Sequence, residues 1–139
     1  MESEMRGHPY LRAYMAGVLL PTWFLLLVLA AFVAGHLLAH VPARVDLAIV
    51  FPMAAVPNLW GLWNLLYVSR RLREHVSIGV FGALLPLILV PAGVALASAL
   101  DLGFYSVGKA VFVLPVAMAL YFLAWKYAVA FFNRIVDLR

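Results

Sequence analysis

The densest polar chemistry in this chain lies in "PNLWGLWNLLY", residues 57–67, where Asn58, Trp60, Gly61, Trp63, Asn64 and Tyr67 interrupt an apolar run. Amides donate and accept, an indole donates through one N–H, and a phenol does both. Such a segment can hold a polar ligand or bond to another helix. On a helix, at about 100° per residue, Pro57, Gly61 and Asn64 share one stripe, and Trp60, Trp63 and Tyr67 share another about a third of a turn away. Lys126, followed by Tyr127, is a cation inside the last apolar run, about eight residues before Arg134 and at a depth similar to Asn64 on an antiparallel helix. Turned inward beside Asn64 and Tyr67, its ammonium makes an anion or headgroup site; turned outward, its stem snorkels toward the head groups.

Other chemistries find less support. His36 and His40 stand at i, i+4 in "HLLAH". That spacing suits two metal ligands but lacks the Glu of HExxH and a clear third ligand, so they are weak metal candidates and no metal is expected. A membrane haem needs two His at matching depth on facing helices, and none are so placed, so no cofactor is expected. With no Cys there is no disulfide or thiolate chemistry. No nucleophile elbow, phosphate loop or pair of intramembrane carboxylates occurs, and an enzyme is not expected. Arg70, Arg71 and Arg73 in "SRRLREH" suit anionic lipid head groups.

The elements that must position these residues follow from hydropathy. Of the 139 residues, 67% are hydrophobic and 12% charged, with a mean hydropathy of +1.04, whereas a soluble domain carries about a quarter charged residues. Charge-free runs of 31, 23 and 26 residues lie between Arg12 and Arg44, Asp46 and Arg70, and Glu74 and Asp101, and a fourth run follows Lys109, broken only by Lys126. Each exceeds the roughly 20 residues that cross a bilayer core. Backbone cannot cross lipid unsatisfied, and the runs lack the alternation of barrel strands, so the expectation is an all-α integral membrane protein. It is expected to form one membrane domain over residues 1–139, with spans at about 15–38, 46–69, 76–99 and 109–132, as an up-down-up-down four-helix bundle with proline-kinked spans. Eight of the ten Lys and Arg fall in the N-terminal tail, the second loop and the C-terminal end. Both termini are therefore expected to be cytoplasmic, the membrane being a bacterial plasma membrane. The basic residues sit at span ends rather than in a stripe, so nucleic acid is not an expected partner.

Gly79, Ala83, Pro86, Val90, Gly93 and Ala97 recur at spacings of four and three, a stripe of small residues expected to pack along its whole length. Ala110, Leu114, Ala117, Tyr121, Ala124 and Ala128 on the last span are its natural counterpart. The expected function is a structural or accessory subunit that binds lipid or another membrane protein through such faces, as a homo-oligomer or in a larger complex. The alternative is a small oligomeric transporter or channel with a polar site around Asn58, Asn64 and Lys126.

Overall fold

The computed structural model describes residues 8–39, 46–69, 75–99 and 107–138, the side chains of 36, 39, 46–54, 97 and 107 lying outside that description. The described residues are almost all helical and contain no strand: α1 (Pro9–Ala39), α2 (Asp46–Ser69), α3 (Ile78–Ala83), α4 (Pro86–Ala99), α5 (Val107–Ala124) and α6 (Ala130–Ile135). A π turn, Trp125–Val129, joins α5 to α6 without a break. Among the described residues, three stretches are long and apolar enough to cross a membrane: Pro9–Gly35, Ile78–Leu96 and Gly108–Ile135.

Local chemistry explains the ends and the break. Pro9 opens α1, where its missing N–H costs no helical bond and its fixed φ suits the first turn. Ser77 caps α3, its hydroxyl accepting from the Val80 N–H at 3.3 Å. Pro86 cannot donate to the Gly82 carbonyl four residues back, so the helix breaks there. The chain tightens instead into i→i+3 bonds, including Leu85 N–H to Gly82 at 3.1 Å and Ile88 N–H to Leu85 at 3.0 Å. Pro21, Pro91 and Pro115 are accommodated inside their helices. At the far end, Asp137 adopts a left-handed φ of 54°. The Leu138 N–H reaches the Asn133 carbonyl at 2.9 Å and the Asp137 N–H reaches Arg134 at 3.1 Å, the paired bonds of a Schellman stop.

Two helical pairs result. α1 and α2 pack in opposite chain directions, Ala13 meeting Asn64 and Gly17 meeting Trp60. Gly17 sits at their closest approach: a Cβ there would lie 2.6 Å from the Trp60 carbonyl and 2.9 Å from the Gly61 Cα. Small residues permit this backbone contact, a main source of association where lipid removes the hydrophobic drive. The second pair sets α3 and α4 against α5 and the π turn. The two pairs join at the end where α1 begins and α6 stops, and there Ala13, Trp60, Tyr67, Val68, Phe81, Leu85, Trp125 and Val129 form the core. At the other end no described side chain in 26–39, 87–99 or 108–120 is buried.

Candidate functional site

Among the described residues two side-chain amides are buried. Asn64 is fully buried and Asn133 is 7% exposed, and they bond reciprocally. The Asn64 Nδ2 donates to the Asn133 Oδ1 at 2.7 Å, and the Asn133 Nδ2 donates to the Asn64 Oδ1 at 3.0 Å. The second Asn64 proton goes to the Ala13 carbonyl at 2.7 Å. Asn64 thereby commits both of its donors. One residue before Ala13, the Arg12 Nη1 donates to the Val136 carbonyl at 2.7 Å, placing a cation on the open carbonyl end of α6. Three helices, α1, α2 and α6, are tied by these four bonds.

The π turn makes the amide pair possible. Eight residues separate Trp125 from Asn133, which at about 100° per residue would turn Asn133 roughly 80° away from the face Trp125 occupies. A π turn, bonded i→i+5, takes up about one extra residue and removes most of that offset. Trp125, Val129 and Asn133 are all buried as a result. The Trp125 ring fills the notch left by Gly82, where a Cβ would fall 2.0 Å from the ring's Cγ.

Around Trp125 the aromatic residues form a contiguous cluster of tilted and stacked rings. Trp60 lies 5.4 Å from Trp125 and 4.9 Å from Tyr121 between ring centroids, while Phe81 lies 4.9 Å from Trp63 and 5.3 Å from Tyr67. Two of these rings direct their polar handles to backbone. The Trp63 Nε1 donates to the Phe81 carbonyl at 2.9 Å, and the Tyr67 hydroxyl donates to the Val76 carbonyl at 3.1 Å. Both bonds cross from α2 to the segment around α3. The indole N–H groups of Trp60 and Trp125 are buried and find no acceptor of hydrogen-bonding geometry among the described residues. Asn58 is exposed and its Oδ1 accepts from the Tyr14 hydroxyl, so this amide serves the α1–α2 contact. Gly61 belongs to the same contact, held against the Tyr14 ring and Val18.

Lys126 stands apart from the amides. It is exposed, its Nζ 5.5 Å from the centre of the Phe122 ring and 5.4 Å from that of Tyr127, and Tyr127 itself is 63% exposed. Its stem lies along Gly79, where a Cβ would come within 3.1 Å of the Lys126 Cβ.

The small-residue stripe divides at the proline break. Gly79 and Pro86 are buried and Ala83 is half-buried, but a Cβ on Gly93 would meet nothing within 4 Å. Between α4 and α5 an apolar cleft of about 340 Å³ opens, lined by Val90, Pro91, Val94, Ala110 and Leu114 among others. Val90, Ala110 and Leu114 thus line an opening along the α4–α5 contact. The side chains of Ala97 and His36 lie outside the described residues, as do Arg70, Arg71, Arg73 and His40 entirely.

Sequence reasoning singled out Asn64 and passed over Asn133, Trp125 and Arg12. Asn64 on the second span and Asn133 at the end of the last were a usable signal, since a buried amide needs a partner in a medium without water. The phase offset hid the pairing, because α-helical spacing does not set Asn133 on the Trp125 face. No protein-family model, curated protein or solved structure matches this chain.

Proposed function

We propose that this chain is a four-span integral membrane protein of the bacterial plasma membrane, with both termini cytoplasmic, acting as a structural or accessory subunit and not as an enzyme. α2 supplies the fourth span: its 24 residues reach about 36 Å at about 1.5 Å per residue, and it carries no charge after Asp46. With α1 and α2 antiparallel, and α3–α4 antiparallel to α5–α6, the path runs up-down-up-down. Membrane lipid, including anionic lipid at the basic loop, and other membrane proteins are its partners.

The observation that carries this reading is the reciprocal Asn64–Asn133 pair. Polar side chains that serve permeation face water or a substrate, whereas these amides are bonded to each other and to α1. Trp63 and Tyr67 likewise direct their donors to backbone. A polar path through Asn58, Asn64 and Lys126 draws no support from this arrangement, since Asn64 is enclosed while Lys126 is exposed beside aromatic rings. The apolar cleft offers no polar lining to an ion or sugar.

The absence of native Cys makes the test direct. Single cysteines introduced at positions 3, 42, 72, 104 and 138 are labelled from either side of oriented vesicles with an impermeant maleimide. Positions 3, 72 and 138 are expected to react from the cytoplasmic side, and 42 and 104 from the other. The same vesicles, filled with potassium, chloride or a neutral osmolyte, are expected to show no protein-dependent flux. Flux lost on replacing Asn64 with Leu, in a variant that still folds, overturns the accessory reading.

A further inference from the structure

Between α4 and α5 the helices leave about 340 Å³ unfilled, and the chemistry of the walls limits what can occupy that space. Local sequence accounts for the opening. α4 contains no aromatic residue, and Phe112, in the second turn of α5, is 78% exposed and takes no part in the lining. At the other end of the molecule rings such as Trp125 fill the equivalent space. Val90, Val94, Ala95, Ala110 and Leu114 bring only methyl and methylene groups to the walls, Pro91 adds a ring without an N–H, and the lining carries almost no polar surface.

Three kinds of occupant can be weighed against this lining. Water holds such a space only where it finds two to four polar partners, which these walls do not supply. A helix is too thick: spread over roughly 9 Å of axis from Val90 to Ala95, the volume has about half the cross-section of a helix 10–12 Å across with its side chains. A flexible chain of methylenes is thin enough and asks for no polar partner. Left empty, the walls forfeit dispersion contacts on one side. Both walls belong to stretches long and apolar enough to cross a membrane, Ile78–Leu96 and Gly108–Ile135, and the medium around such stretches is hydrocarbon chain.

We propose that the α4–α5 cleft is a binding groove for one acyl chain of a bilayer phospholipid, lying along Val90, Val94 and Leu114. The chain takes the place that aromatic rings take in the core. This rests on the membrane and accessory reading, and names the part of the lipid that the protein holds and the face that holds it.

The test reconstitutes the full chain in phosphatidylcholine vesicles containing a phosphatidylcholine with a photoactivatable diazirine in mid-chain, and maps the labelled residues by mass spectrometry. Leu26 and Leu27, exposed on α1, serve as the reference for passing contact with lipid. Labelling of Val94 and Leu114 is expected to exceed that of the reference about threefold and to persist through a chase with unlabelled lipid. Ala95→Leu and Ala110→Leu, made singly and together, fill the groove from its walls. They are expected to bring labelling of Val94 and Leu114 down to the reference while leaving Leu26 and Leu27 and the unfolding midpoint unchanged. Equal labelling of groove and reference overturns the proposal, as does groove labelling that survives the filled variants. Two further results overturn it by naming another occupant. One is a disulfide between copies carrying Ala95→Cys, which seats a second copy on the groove. The other is groove labelling that rises when Phe104 and Tyr105, in the segment linking α4 to α5, are both replaced by Ser. None of these outcomes touches the accessory reading, which stands or falls on the flux measurement.

Discussion

Gly82 and Gly93 sit on the same apolar stretch, either side of Pro86, and meet opposite surroundings. A Cβ on Gly82 would enter the Trp125 ring, while a Cβ on Gly93 would meet open space. The same contrast divides the whole molecule. At the end where α1 begins and α6 stops, the helices touch through glycine, interlocked rings and bonded amides. At the other end the described side chains are exposed or half-exposed, and a cleft separates α4 from α5. The difference teaches that small residues at helical spacing permit contact but do not cause it. Contact occurs where a ring or an amide on the facing helix arrives in phase.

The largest effect is expected at Gly82. Gly82→Ala forces the Trp125 ring or the helix to move and is expected to cost roughly 3 kcal/mol, at the upper end of overpacking penalties, read as a lowered unfolding midpoint in mixed detergent. A midpoint equal to wild type would dissolve the contrast between the two ends. Gly17→Ala comes next, at about 2 kcal/mol, because its Cβ meets the backbone of Trp60 and Gly61, which must give way as a helix. Gly61→Ala meets the Tyr14 ring and a Val18 methyl group first, and the smaller loss expected of it, about 1 kcal/mol, sharpens the point that movable side chains absorb what backbone does not.

Asn64→Leu leaves the Asn133 amide and the Ala13 carbonyl without their partner and is expected to cost about 1–2 kcal/mol, the range for interhelical polar contacts in membranes. A double-mutant cycle with Asn133→Leu is expected to return a coupling of about 1 kcal/mol; strictly additive losses would mean that the pair does not act as a unit. Gly93→Ala, the smallest change, is expected to shift stability by no more than about 0.5 kcal/mol, with Ala's better helix propensity tending to raise it. A loss comparable to that at Gly82 would place a packed partner against α4 where the cleft lies.

Particular residues show what could be read in advance. Trp60 lies about ten residues inside Arg70, too deep for an interfacial belt, and the structure places it in the aromatic core. Gly79 and Pro86 were legible as packing positions because small residues in a membrane helix have few other roles. The far half of that stripe was not, since identical spacing at Gly93 finds no partner. Lys126 was legible as a charge within the last apolar run, but not the exposed face on which the structure sets it. Asn133 lay hidden for the same reason: one extra residue in the helix moves it onto the buried face.

The sequence by itself determined the extent of the apolar runs and how far along them each polar side chain lies. These are properties summed along the chain, residue by residue, and they need no knowledge of neighbours. Only the tertiary structure decided that Asn64 meets Asn133, that Trp125 fills the space above Gly82, and that Lys126 faces outward. Such pairings depend on the rotational phase of each helix, which a π turn or a proline break resets, and phase becomes visible only when two helices are placed against each other.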